Sequence, residues 1–450
     1  MLRTRAGAIP DALQTQAVER GDGSILLPLT AEVAAALRAE PSARLEAGAD
    51  RCLRMVEAGI DPPPAQLVLD QSGEEHDLRL HVLWDPEVAP AFDRLPGVAG
   101  RSMPIDPWVV PHLDPFLALH DVQATAPAAA TLERLRAEHA EAAAAIRRSK
   151  ATEGPVMEDV AARLGGTLEP FQWAGVRYVL QARRSFLADE QGLGKTVQAL
   201  AAIEADDAYP AIVVCPASLK LNWEREVAKW RPHRSVAVIS GRMAVPPRGD
   251  ITILNYEIVA SHHRELGLRR PRSLIVDESH YVKNPQAKRT QAVRRLARSV
   301  PDDGLRLALT GTPVLNHADE LIAQLRVIGR LDDFGSGARF SREFRADRTE
   351  ERLHWHLRRR CFVRRLKADV LPQLPPKRQV VVPIVLDNPR EYATAEKDVI
   401  AWLREQNDDV TSEDPGQGAG REVQVIDPLD VVRNRDRRDV DRDLDVLARL

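Results

Sequence analysis

Residues from Gly166 onward predict an α/β fold built on a parallel sheet with a phosphate-binding loop, preceded by a smaller α+β module. Two observations carry this expectation. Six short apolar runs, SFLAD (185–189), AIVVCP (211–216), VAVIS (236–240), ITILNY (251–256), SLIVDE (273–278) and LRLALT (305–310), alternate with helix-forming stretches. Continuous apolar strands separated by helices belong to parallel sheets covered on both faces. In addition, the polar motifs DEQGLGKT (189–196), DESH (277–280) and LTGTP (309–313) close three of those runs. They stand at the carboxyl edge, where open parallel sheets bind ligands.

The elements follow in chain order. Residues 1–125 read as a mixed α+β accessory module. In it TAEVAAALRAE (30–40) is a helix capped by Thr30 and stopped by Pro41, LRLHVLW (78–84) is a strand, and DPEVAPAFDRL after it is a short helix. The stretch 126–150 is rich in Ala, Glu and Arg, a strong helix former with i,i+4 charge pairs, and reads as the main part of a solvated helical linker over 126–165. The sheet domain then spans 166–386, and 387–406 opens a further linker. Residues 407–450, with RNRDRRDVDRDLD alternating Arg and Asp, have little to bury and are expected to be poorly ordered.

Composition narrows the function classes. At 450 residues, 44% hydrophobic and 29% charged, the chain can bury a large core in two or three domains. Its formal charge of −3 means that a nucleic-acid partner would be held by local basic stripes. Cys52, Cys215 and Cys361 are isolated, without zinc-ligand or disulfide spacing, which suits a reducing, cytoplasmic setting. No apolar run approaches about 18 residues, and the N-terminus lacks an apolar h-region, so no membrane partner is expected.

A phosphate cradle needs backbone N–H groups converging at a helix N-terminus, a Lys for the β/γ-phosphates and a hydroxyl for Mg²⁺. Gln191, Gly192, Leu193 and Gly194 supply the loop, Lys195 the ammonium and Thr196 the hydroxyl, with VQALAAIEA as the helix. Asp189 stands where the Walker pattern places Gly. Asp277 and Glu278 emerge from the run SLIV. On an extended strand they would point to opposite sides, Asp277 toward Mg²⁺ and Glu278 toward an attacking water. Trp223 and Trp230, seven apart, read as core packing. The dense cluster Arg358, Arg359, Arg360, Arg364, Arg365 and Lys367 reads equally as a solvated face or a phosphate-contacting patch.

These motifs resemble motifs I, II and III of the Swi/Snf-type ATPases, the double-stranded-DNA translocases of helicase superfamily 2. LEPFQWAGVRYVL resembles the family's Q-motif segment, VVCPASLKLNWEREVAKW motif Ia, and ILNYE motif Ib. HYVKNPQAKRT and FVRRLKADVLPQLPPKR match later steps, so the likeness covers residues 168 to 386. It implies a RecA-like lobe that binds ATP and Mg²⁺, with Gln172 at the adenine, Lys195, Asp277 and Glu278 catalytic, and Thr196 and Asp277 at the metal. It further implies double-stranded or branched DNA against Ser218, Lys220, Asn222, Tyr256, Lys283, Asn284, Thr310, Gly311 and Thr312, with Thr310 and Thr312 linking nucleotide state to DNA contact. In that family Asp189's position is usually acidic. Residues 76–122 resemble the HARP-type module of annealing helicases: strand, acidic turn, helix, a Trp-bearing strand at PWVVP (107–111), then a closing helix. Motifs V and VI of a second lobe are not found in this sequence, so a weak or inactive isolated chain is expected, either a truncated frame or one half of a split motor whose second lobe a partner polypeptide carries. The reading is one lobe of a DNA-dependent ATPase motor for repair, annealing or remodelling. The alternative is an inactive nucleotide- and DNA-binding fragment that acts through a partner lobe.

Overall fold

The computed structural model describes residues 2–5, 13, 16, 18–19, 24–39, 47–71, 76–83, 87–241, 248–311, 317–345 and 349–375. The linker at 387–406, the tail at 407–450 and Thr312 therefore lie outside the described residues. Met1–Val370 forms one compact unit.

The chain opens with β1 (Leu2–Arg5), β2 (Val18–Glu19) and β3 (Ser24–Leu27), an antiparallel sheet in the order β1-β3-β2. Helices α1 (Ala31–Ala39) and α2 (Ala47–Glu57) follow. The Thr30 hydroxyl accepts from Val33 N (3.3 Å), satisfying a first-turn donor as the sequence requires. A second sheet, in the order β6-β5-β4-β7, contains β4 (Gln66–Asp70), β5 (Asp77–His81), β6 (Ser102–Pro104) and β7 (Gln123–Ala124). Helices α3 (Val88–Asp93) and α4 (Val110–Leu119) pack on it through Phe92, Leu113 and Phe116.

Two expectations are corrected here. PWVVP is no strand: Pro107–Val109 is a 3₁₀ turn that runs directly into α4. Its cause is local, since the buried Asp106 carboxylate accepts from Trp108 N (2.9 Å) and Pro107 supplies a helical φ. Nor is α5 (Ala126–Ser149) a solvated linker. Ala128, Leu132 and Leu135 are buried in the module core, Ser149 Oγ donates to Phe362 O (2.7 Å), and His139 stacks on Trp355 (5.6 Å). The helix braces the accessory module against the larger domain.

That domain adds α6 (Glu158–Ala161), α7 (Pro170–Ala182), β8 (Arg184–Leu187), α8 (Lys195–Ala205), β9 (Ala211–Cys215), α9 (Lys220–Trp230), β10 (Val236–Val238) and β11 (Ile251–Asn255). It continues with α10 (Val259–Leu268), β12 (Ser273–Asp277), α11 (Lys288–Ala297), β13 (Leu305–Leu309), α12 (Glu320–Ile328), α13 (Gly337–Phe344), α14 (Glu350–Arg360), β14 (Phe362–Val363) and α15 (Lys367–Val370). The seven strands run parallel in the order β10-β11-β9-β12-β13-β8-β14. All six apolar runs are strands of this sheet, and every residue of β9, β11, β12 and β13 is buried. Alternation sends Val213, Ile253 and Ile275 toward Trp173, Leu200 and Trp223 on one face. Ile212, Leu254 and Val276 meet Val259, Val293 and Leu296 on the other. Among the described residues no helix is long and apolar enough to cross a membrane.

Candidate functional site

The phosphate loop starts where β8 leaves the sheet, and its first acid explains the departure from the Walker pattern. Asp189 is fully buried. Its carboxylate accepts from Arg365 N (3.0 Å), Arg365 Nε (2.9 Å), Arg365 Nη2 and Gln198 Nε2 (3.1 Å). Arg365 also donates to Phe171 O and to Gln198 Oε1 (2.8 Å). A glycine here would leave that guanidinium buried and unpaired, at a cost of several kcal/mol. Gly175 of α7 permits the approach: a Cβ on it would fall 1.9 Å from Gln198 Oε1 and 2.6 Å from Arg365 Nη2. The Arg cluster is therefore corrected in part: Arg358, Arg364 and Arg365 are buried and form neither a solvated face nor a phosphate patch, while Arg359, Arg360 and Lys367 are half-buried.

The loop's backbone turns on Gly192 (φ 88°) and Gly194 (φ 73°), left-handed positions that suit Gly. Gln172 sits directly over the loop. Its Oε1 accepts from Glu169 N (2.9 Å) in a capping box, and its Nε2 donates to Leu193 O (3.3 Å). A Cβ at Gly194 would meet that Nε2 at 2.4 Å, so the loop holds its shape only with Gly there. Gln191 and Gly192 are exposed, Leu193 is buried, and Thr196 is half-buried at the start of α8. Lys195 Nζ donates to Asp189 O (2.8 Å), and burial pulls its pKa down against the charges of Asp189, Glu278 and Asp277. Motif III arrives beside it, since a Cβ on Gly311 would lie 3.9 Å from both Lys195 Nζ and Gln191 N.

Asp277 ends β12 and is held on both oxygens. Oδ2 accepts from Trp223 Nε1 (2.7 Å) and Oδ1 from Glu278 N (3.0 Å). Burial pushes its pKa up despite these bonds. Trp223 is thus core packing, as its spacing predicts, and also orients a site carboxylate. Glu278 departs from the extended strand expected of it. It is left-handed (φ 48°, ψ 57°), so a backbone kink, not strand alternation, separates the two carboxylates. His280 Nδ1 stands 3.4 Å from Glu278 Oε2 and holds the Glu278 carboxyl below its ordinary range. The pair lies at ion-pair distance without hydrogen-bond geometry.

The positions expected at DNA divide into two groups. Ser218, Asn222 and Asn284 are exposed. Lys220 is half-buried with Nζ on Ile239 O (3.2 Å). Lys283 pairs with Glu320 (3.2 Å) and lines an open hollow of about 840 Å³ with Arg326 and Arg345. Tyr256 and Thr310 are corrected, because both are fully buried. Tyr256 stacks on Tyr281 (5.1 Å) and donates to Asp277 O, bracing the carboxylate strand from beneath. Gly311 sits against the phosphate loop, with its carbonyl accepting from Arg364 Nη1 (2.9 Å).

The profile of the SNF2-related domain matches residues 140–414, more than half of the chain. The chain belongs to the SNF2-related domain family. A Caenorhabditis elegans protein described as a SWI/SNF-related matrix-associated actin-dependent regulator of chromatin subfamily A-like protein 1 homolog is 35% identical over 233 residues, covering 48% of this chain and 33% of that protein. The human DNA annealing helicase and endonuclease ZRANB3 is 32% identical over 250 residues, covering 50% of this chain and 23% of that protein. The chain thus spans about a third or less of the length of these relatives. Among solved structures, the Sulfolobus solfataricus SWI2/SNF2 ATPase core in complex with dsDNA aligns at 28% identity and a TM-score of 0.41, over 46% of each chain.

The residues of this SNF2-related domain fit a magnesium nucleotide. Two glycines with positive φ open the loop, Lys195 supplies the cation, and Thr196 and Asp277 offer two oxygens. So few protein ligands suit Mg²⁺, which keeps several waters. Among the described residues no cluster of three or more His, Cys, Asp or Glu forms a separate metal site.

Proposed function

We propose that this SNF2-related domain is the ATP-binding lobe of a DNA-dependent ATPase that moves on double-stranded or branched DNA in repair, annealing or remodelling. One observation carries the reading. The carboxyl ends of three adjacent parallel strands, β12, β13 and β8, bring Asp277 and Glu278, Gly311, and Lys195 into one electrostatically coupled site. Lys195 and the loop amides hold the phosphates. Mg²⁺ would be held by Thr196 and Asp277, where it would neutralise charge on the phosphates. Glu278, kept ionised by His280, orients the attacking water more than it acts as a strong base, because its pKa lies below the ordinary range. Phosphoryl transfer tolerates this, since positioning and electrostatics supply most of its catalysis. Gln172, bonded to Leu193 O, stands at the loop for an adenine.

The DNA expectation rests on the exposed Ser218, Asn222 and Asn284 together with the family, one of whose members is described as a DNA annealing helicase. A second RecA-like lobe, in the same polypeptide or another, would close over the nucleotide, and a cytoplasmic, nucleoid-associated location suits this reading. The test is an ATPase assay with and without duplex DNA, on the chain together with a second lobe. Glu278→Gln should retain Mg·ATP binding and lose DNA-stimulated turnover; equal turnover in variant and parent overturns the assignment of Glu278.

A further inference from the structure

One lysine beside the phosphate loop is not used by the reading above. Lys367 comes from far along the chain, and the backbone delivers it by a continued ladder. Phe186 N donates to Cys361 O (2.7 Å), Ala188 N to Val363 O (2.8 Å) and Glu190 N to Arg365 O (3.0 Å), so the segment after β14 tracks the loop beyond the end of β8. The ladder closes where Lys367 N donates to Glu190 Oε2 (2.6 Å). Asp369 Oδ2 accepts from Leu366 N (3.3 Å) and turns the chain there. The side chain then reaches over the loop: Cε and Nζ of Lys367 both lie 3.4 Å from where a Cβ of Gly192 would stand. Among the described residues the ammonium has no hydrogen-bond or ion-pair partner, and the residue is half-exposed.

We propose that Lys367 is a second phosphate-binding residue of the nucleotide site, contacting the polyphosphate chain from above Gly192 while Lys195 contacts it from within the loop. The inference rests on the ATP-binding reading of that loop. Gly192 is one of the exposed, left-handed positions whose backbone faces an anionic ligand, and an ammonium over such a position gains from a polyphosphate what it cannot gain from water. Its anchor is rigid on the main-chain side and flexible on the side-chain side. Lys367 N is fixed to Glu190, whereas four methylenes let the charge follow the ligand. The interaction is with charge, so it requires the polyphosphate and leaves the nucleoside unread.

The experiment compares Lys367→Met, Lys367→Arg and Lys195→Ala with the parent chain by calorimetric titration of Mg·ATP, ADP and adenosine at low salt. Melting of the nucleotide-free proteins is followed in parallel. Lys367→Met should weaken ATP and ADP by about tenfold, change adenosine by less than about twofold, and melt within about 2 °C of the parent. Lys367→Arg should recover most of the loss, because it keeps the charge. Tight ATP binding by the parent, lost in Lys195→Ala but unchanged in Lys367→Met, overturns the role of Lys367 and leaves the site reading intact. An equal loss for adenosine also overturns it, since that pattern marks a displaced loop. A parent chain that binds no ATP overturns both.

Discussion

Removing the Asp189 carboxylate tests the claim that the acidic start of the phosphate loop is structural. In Asp189→Ala, Arg365 remains fully buried with its remaining bonds to Phe171 O and Gln198 Oε1, but four accepted hydrogen bonds and the compensating charge are gone. Breaking one side of a buried pair costs about 3–5 kcal/mol. For a compact unit that runs from Met1 to Val370 each kcal/mol lowers Tm by about 1–2 °C, so the variant should melt about 3–10 °C below the parent. Arg365→Met in the same background removes the stranded charge and should return at least half of the loss, giving a favourable coupling in the double-mutant cycle. The assay is thermal unfolding of the four proteins by circular dichroism at pH 7.5, with ATP affinity measured at 15 °C, below all transitions. A single variant that melts within about 2 °C of the parent would refute the argument. So would strictly additive losses, because the cost would then lie in packing and not in an uncompensated guanidinium.

Two further outcomes follow from the same contacts. Trp223→Phe keeps most of the buried ring but removes the donor to Asp277 Oδ2, a charge-assisted bond worth about 1.5–3 kcal/mol, so ATP binding should need more Mg²⁺; an unchanged Mg²⁺ titration would free Asp277 from Trp223's control. Burial, with Arg358, Lys150 and Arg364 nearby, depresses His354 from 6.5 to about 3, and His356 is lowered as well. A histidine with a depressed folded pKa costs nothing above its unfolded value. Stability is therefore full above about pH 6.5 and falls as pH drops, for His354 down to about 3 by up to about 1.4 kcal/mol per unit, and in the same direction for His356. The urea midpoint should drop between pH 7.5 and pH 5.5, and less so in His354→Gln, which keeps an acceptor for Arg358 Nε (2.7 Å); a midpoint that does not move would remove these histidines from the balance.

What the sequence made legible, and what it hid, divides along the range of the interactions. The first six strands of the parallel sheet, β8 to β13, were readable because each is a continuous apolar run fixed by its own residues. The phosphate loop was readable because Gly192, Gly194, Lys195 and Thr196 adjoin in sequence. β14 was not: two residues, Phe362 and Val363, flanked by arginines, are too short to show a period. PWVVP misled because its strand-like composition is overruled by a single side-chain cap from Asp106. The kink at Glu278 also left no signal, since a non-Gly residue with positive φ is imposed by its surroundings. Burial of Tyr256 and Thr310 follows from the sheet closing around them, which a motif cannot report.

The arginines of 358–365 show why a charged run can be a core. β14 is an edge strand held to β8 by few main-chain bonds, so its side chains must supply what a longer strand would. Arg358 donates to Ser149 Oγ (3.1 Å) of α5 and to Arg364 O (2.9 Å), tying the accessory brace to the segment. Arg364 donates to Ala188 O (3.1 Å) and Gly311 O (2.9 Å), bridging the start of the phosphate loop to motif III. Arg365 then closes on Asp189 at the loop's first residue. Each guanidinium spans two or three acceptors on different elements at once. Lysine, with one compact charge, cannot bridge such spacing in a fixed plane, and a solvated face would need no acceptors at all. The segment therefore makes the accessory helix, the phosphate loop and motif III share one set of hydrogen bonds. A shift in any of them is felt by the others through bonds that cannot be re-formed with water in a buried site.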